Sequence, residues 1–139
     1  MSKRDFTLYI LDIFIAFDKI KRYTKNFSDG EELLNEELYW DGTIRELEII
    51  GEATNYLLKA EIIDRKHRRI VDFRNQIIHG YFGIDENIVF DVIKNGLPKY
   101  IEELKTLIRK ENINLTFAIE SAKIENAKNK KILSFLETL

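Results

Sequence analysis

Arg74, Asn75, His79 and Tyr81 fall within one short segment, Arg74-Asn75-Gln76-Ile77-Ile78-His79-Gly80-Tyr81. These side-chain types suit cleavage of RNA without a metal. The ribose 2′-hydroxyl can attack the adjacent phosphorus if a base takes its proton, an acid protonates the leaving oxygen, and a cation offsets the phosphoryl charge. Histidine titrates near neutrality and can serve as base or acid. Arginine stays charged and can grip phosphate through two parallel N–H groups. Asn75 could orient either group or bind a phosphate oxygen. Tyr81 could donate a hydrogen bond or stack on a base. Spacing alone does not assemble these groups. Five residues of ideal helix turn through about 500°, which leaves Arg74 and His79 about 140° apart around the axis. Two readings stay open at this point: a helix end with a capping histidine, or a cleft shared by two copies related by a two-fold axis, holding two Arg and two His.

The surroundings of the segment are basic. From Asp64 to Arg74 the chain carries Arg65, Lys66, Arg68, Arg69 and Arg74 against Asp64 and Asp72. That window is either a solvated helix face or a phosphate-binding surface. His67 sits among these cations with no evident partner and reads as a surface residue. The formal net charge of -2 argues against coating nucleic acid through bulk charge but leaves room for a local basic site. Other chemistries lack their residues. There is no cysteine, which excludes disulfides and thiolate metal sites, and two histidines cannot alone build a His-rich metal site. No Gly-rich phosphate loop, His-Glu-x-x-His or nucleophile-elbow serine is present. The acidic pairs Glu31/Glu32, Glu36/Glu37 and Glu102/Glu103 are adjacent in sequence, so on a helix they diverge as solvated faces. No cofactor and no metal are expected.

The elements that must position the segment are helical. The chain has 139 residues, one proline and six glycines, which fits one domain made of long uninterrupted helices. Phe6, Tyr9, Ile10, Ile13, Phe14, Phe17 and Ile20 recur at three- and four-residue spacing and predict a first helix over about 3–25. Ser28 with Glu31 forms a capping-box pattern for a short helix. Asp41-Gly42 marks either a break or the start of the next helix, which runs from Thr43 to Lys59 with Gly51 in its middle. A mid-helix glycine costs about 1 kcal/mol relative to alanine and is tolerated where another element must approach closely. Asp64 can cap the helix that carries Ile70, Val71, Phe73, Ile77 and Ile78, and this helix should end near Phe82. Asp85 caps a helix that Gly96-Leu97-Pro98 kinks or restarts. The spacing predicts an all-α, up-and-down bundle of four to five helices over residues 1–110. Residues 111–139 form a helical extension that packs on the bundle or on a partner, with Leu115 to Ile119 ambiguous between strand and helix. The charged amino terminus and the acidic breaks Asp12 and Asp18 exclude a signal peptide or a membrane span, so the expectation is a soluble cytoplasmic protein.

Three stretches together resemble the HepT-like branch of the HEPN domains: Arg45-Glu46-Leu47-Glu48-Ile49-Ile50-Gly51-Glu52-Ala53, then Arg74-Asn75 through His79-Gly80-Tyr81-Phe82, then Ile88 to Pro98. The similarity runs from about Thr43 to Leu107. Its anchor is the family's R-x4-H-x-Y motif, met by Arg74, His79 and Tyr81. The resemblance implies a HEPN-like bundle that forms a homodimer or a higher oligomer, with the motif at the dimer cleft. It implies the toxin of a type VII toxin–antitoxin system, a metal-independent endoribonuclease acting on RNA, with Arg74 and His79 catalytic and Asn75 and Glu52 in support. It also implies neutralisation by a minimal, MntA-like nucleotidyltransferase antitoxin that AMPylates Tyr81. A bulky phosphodiester there would occupy the phosphate site. The alternative is a non-catalytic nucleotide- or partner-binding subunit of a nucleotidyltransferase complex. Two features depart from the family pattern: His67-Arg68-Arg69-Ile70 stands where a tryptophan is usual, and the tail beyond about Lys110 is long.

Overall fold

The computed structural model describes residues 4–80 and 83–139. Among these, all regular structure is helical: α1 (Phe6–Thr24), α2 (Gly30–Asn35), α3 (Glu37–Lys59), α4 (Arg68–His79), α5 (Glu86–Asp91), α6 (Leu97–Lys110), α7 (Thr116–Glu125) and α8 (Lys130–Leu136). The long helices α1 and α3 form the frame and run antiparallel. Tyr9 stacks on Tyr56 at 3.9 Å between ring centroids, Lys19 Nζ lies 3.8 Å from Glu46 Oε1, and Tyr23 covers Gly42. As the first number rises, the second falls. The apolar rows of α1 and α3 close on α6 in one core, built around Ile10, Ile13, Ile50, Leu57, Tyr100 and Leu104. Inside it, the Tyr100 hydroxyl and Thr54 Oγ1 pair at 2.8 Å, which satisfies two polar groups that would otherwise be stranded. Burial pushes the Tyr100 phenol up to about 12, so it stays protonated there.

Local chemistry sets the helix ends. Asp5 caps α1 through the Thr7 amide at 2.8 Å. For α2 the cap is Asp29 rather than Ser28: its carboxylate accepts from Glu32 N at 2.9 Å, while the Glu32 side chain reaches back to Ser28 N. The expected Ser28/Glu31 box does not form: the cap lies one residue later, where aspartate supplies the same acceptor as serine with a full charge toward the helix N-terminus, and the return bond reaches the amide before the cap. Asp41-Gly42 lies inside α3, which begins at Glu37. Gly30 lets α2 approach the α5 backbone, since a Cβ there would lie 2.5 Å from the Glu86 carbonyl carbon. Asp64 caps a 3-10 turn, Arg65–His67, that feeds α4. Between α5 and α6 the chain does not break. It runs through a π-helical turn, Val92–Gly96, closed by Leu97 N–H to the Val92 carbonyl. Pro98 can donate nothing to the carbonyl four residues back, and the wider turn absorbs that loss.

The tail holds two helices, where one terminal helix was expected. Asn114 accepts from Thr116 N at 2.9 Å at the start of α7, so Thr116 to Ile119 is helical rather than strand, with Leu115 as the N-cap. Asn129 caps α8 through Ile132 N at 3.0 Å. Ala118, Ala122, Ile132 and Leu136 pack on Leu11, with Leu8 and Ile15 beside it, in a second core on the far side of α1. Helix α1 is therefore covered on two sides. Each buried Leu or Ile in this satellite contributes about 1.5–3 kcal/mol of gross burial. No helix among the described residues is long and apolar enough to cross a membrane.

Candidate functional site

Helix α4 carries the motif and lies against α3. It is regular from Arg68 to His79, and Gly80 then leaves helical geometry, with φ -106° and ψ 49°. The helix thus stops at His79, not near Phe82. Because it is unbroken between Arg74 and His79, the two residues keep their separation of about 140° around its axis. One copy of the chain does not bring them together. His79 is exposed at the helix end, while Arg74 is half-buried against α3.

The seat of Arg74 is Gly51. A Cβ on Gly51 would overlap Arg74 Cβ and lie 2.5 Å from its Cγ. The glycine in the middle of α3 therefore exists for a close approach, and the approaching group is the stem of Arg74. At its outer end, Arg74 Nη1 donates to Asn75 Oδ1 at 3.1 Å. Its Nε is buried and has no partner among the described residues. A desolvated N–H on a charged group is costly to leave without an acceptor, on the order of 1–3 kcal/mol. The arrangement holds the guanidinium in a fixed place with donor capacity unspent. Glu52, next to Gly51, is exposed and makes no hydrogen bond or ion pair among the described residues, so it neither positions nor neutralises Arg74 in a single chain. Tyr81 lies outside the described residues.

The basic window opens α4. Arg65, Lys66, Arg68 and Arg69 are all exposed, and two of them are engaged: Arg68 Nε lies 3.6 Å from Asp72 Oδ1, and Lys66 Nζ 3.5 Å from Glu103 Oε2. His67, read from sequence as a surface residue, is buried at 5% exposure. Its ring lies 4.9 Å from that of Tyr100, and its Nε2 is 3.3 Å from Glu103 Oε2. Burial holds the imidazole below its ordinary pKa, and the pull of Glu103 in the other direction does not compensate. The 3-10 turn explains the error: it rotates His67 inward while its four basic neighbours face out.

A second buried ionisable group also escaped the sequence reading. Glu46 is 5% exposed, and burial raises its pKa against the opposing pull of Lys19, Arg45 and Arg22. Its spacing carried the signal, because Thr43, Glu46, Leu47, Ile50, Ala53, Thr54 and Leu57 form one buried stripe. Among the described residues, no group of three or more His, Asp or Glu side chains is placed to hold a metal ion.

A family model described as ribonuclease HepT-like matches residues 13–107. The match begins well before Thr43 and ends in the last turn of α6, short of α7 and α8. A protein of Methanocaldococcus jannaschii named as a candidate RNase is 33% identical over 108 residues, covering 76% of this chain and 98% of that protein. A second from the same organism, also named as a candidate RNase, is 32% identical over 112 residues, 78% of this chain and 96% of its own length. A Thermococcus cleftensis protein named as a candidate ribonuclease HepT is 31% identical over 102 residues, 69% of this chain and 89% of that protein. No solved structure matches the chain. With most of its bundle matched, the chain belongs to the HepT-like ribonuclease family.

Proposed function

We propose that this ribonuclease is the toxin of a type VII toxin–antitoxin system, cutting RNA without a metal at a cleft shared by two copies of the chain. The observation that carries this reading is the state of Arg74. It is seated on Gly51, braced by Asn75, and its buried Nε has no acceptor among the described residues. A non-bridging phosphate oxygen is an acceptor of the right charge for the outer N–H groups of this half-buried guanidinium.

In this reading, His79 of one copy takes the proton of the ribose 2′-hydroxyl. The 2′-oxygen then bonds to phosphorus, and the bond from phosphorus to the 5′-oxygen breaks. A protonated His79 of the second copy delivers its proton to that leaving oxygen, and Arg74 holds the charge on the phosphoryl oxygens. The products are a 2′,3′-cyclic phosphate and a 5′-hydroxyl. What supports a two-copy cleft is the helix geometry: Arg74 and His79 point apart on one α4, and a second α4 would complete the set. Neutralisation falls to a minimal, MntA-like nucleotidyltransferase that transfers AMP from ATP to Tyr81 and releases pyrophosphate. The added phosphodiester anion competes for the Arg74 donors.

The test is RNA cleavage in EDTA by chain expressed without any nucleotidyltransferase. Cleavage is expected in the unmodified chain and lost in both Arg74→Ala and His79→Ala. Activity that persists in both variants overturns the reading. Co-expression with the transferase should add AMP-sized mass to Tyr81 and silence the chain.

A further inference from the structure

A large concave surface lies away from α4. It is a groove of about 970 Å³ between the C-terminal end of α1, the start of α3 and helix α8. Its cations are Arg22, Lys25, Lys130 and Lys131, against the carboxylates of Asp18 and Glu36. Asp18 is engaged by Arg22 Nε at 3.0 Å. Lys25, Lys130 and Lys131 are exposed and make no ion pair among the described residues. The groove is thus locally positive on a chain whose formal net charge is -2.

Aromatic rings interleave these cations. Tyr23, Phe27, Tyr39 and Phe135 line the same walls. Tyr39 is 46% exposed and meets Phe27 edge-on at 5.7 Å between centroids. An open ring beside exposed lysines is a combination that binds single-stranded nucleic acid: bases stack on the rings and cations follow the phosphates, largely without regard to sequence.

Helix α8 supplies two of the four cations and lies beyond the residues matched by the family model. Without the tail the groove would lose one wall. Along α3, Tyr39 and Gly51 are separated by twelve residues, or about 18 Å of helix. We propose that this groove is a second binding site for the substrate, an anchor that holds a single-stranded stretch of RNA away from the scissile bond. The proposal rests on the ribonuclease reading for the identity of its ligand.

Binding and cleavage are read separately. A fluorescein-labelled oligouridylate is titrated by anisotropy into the full chain carrying His79→Ala, which keeps the probe intact. Adding Lys130→Glu with Lys131→Glu should weaken binding at least about tenfold and flatten the salt dependence, with the slope of log K against log salt shallower by about 1.4. Tyr39→Ala should weaken binding on the order of tenfold while leaving that slope in place. In chains with His79 intact, both changes should raise KM for RNA and spare kcat. Each altered residue is exposed, and circular dichroism melts confirm that the variants fold. RNA binding unchanged in both variants overturns the groove. So does loss of binding to a nucleotidyltransferase with RNA binding intact, which would make the groove a protein-docking surface. If the unaltered chain cleaves no RNA, the ribonuclease reading falls, and the anisotropy still decides the groove.

Discussion

Helix α4 has a histidine at each end, and the two are opposites. His67 is the N-cap residue, buried against Tyr100 and Glu103. His79 is the last helical residue and is exposed. In sequence the pair looks the other way round, because His67 is surrounded by arginines and lysines while His79 follows two isoleucines. The comparison teaches that neighbours in sequence report poorly on the environment of a side chain at a helix end. What counts is the rotation of the last turn. One histidine belongs to the structure of the bundle, and the other is available for chemistry.

The sharpest way to break that division is to remove each ring in turn. Alanine at His79 should lower RNA cleavage by about 10²- to 10⁴-fold, the usual contribution of a general acid–base group. It should move stability by no more than about 0.5 kcal/mol, as for other exposed positions. Alanine at His67 should do the reverse. It empties a ring-sized volume beside Tyr100 and costs about 2–4 kcal/mol, with cleavage per folded molecule retained. Urea denaturation and single-turnover cleavage on both variants measure the two axes. A His67 variant that folds normally but does not cleave would undo the comparison.

Between the two ends stands Arg74, and a smaller effect sharpens its role. Gly51→Ala should destabilise the chain by about 1–3 kcal/mol through overpacking against the Arg74 stem, even though alanine favours helix. Because Arg74 must move, cleavage should fall by up to about a hundredfold. Gly42→Ala, also in α3, is the control: its Cβ would meet only the edge of the Tyr23 ring, at 3.2 Å, and that ring can shift. It should leave single-turnover cleavage at saturating enzyme unchanged, with any effect confined to KM through the Tyr23 wall of the groove. Equal effects from the two substitutions would mean that Gly51 is not a seat for Arg74.

The sequence made most of the helices legible, and placed Arg74 and His79 on one of them, for identifiable reasons. Apolar spacing in α1 and α3 was unambiguous because each buries a wide stripe. Asp64, Asp85 and Pro98 announced their turns because cap and ring chemistry act locally. Gly51 announced a close approach, although not what approached. The failures were tertiary. The tail pairs with α1 through Leu8, Leu11 and Ile15, which look like part of the same apolar helix as the main core. His67 and Glu46 are polar residues carried into the interior by positions on a helix or turn, and residue type alone argued the other way.

The smallest predicted effect tests the burial of His67 directly. Its imidazole is held below the ordinary value of about 6.5 first by burial, with Lys66 and Arg69 acting in the same direction and Glu103 and Asp64 opposing. In the unfolded chain the ring takes up a proton near that ordinary value; in the folded chain it takes one only at lower pH. Between the two, the unfolded state binds more protons, so stability should fall as pH drops through about 6.5 and stop falling below the folded pKa. Glu46 acts with the opposite sign and mainly in a lower window. Burial raises its pKa, so its contribution is full below about 4.3 and is lost as pH rises through the folded value. Comparing the wild-type chain with His67→Gln isolates the histidine, because Glu46 is common to both and cancels in the difference. The stability gap, wild type minus variant, should shrink on acidification from about pH 7 to about pH 5.5 in urea melts. A gap that widens instead would mean that the fold binds the His67 proton more tightly than water does. Glu103 would then outweigh burial, and His67 would be a charged ion-pair partner, not a buried neutral ring.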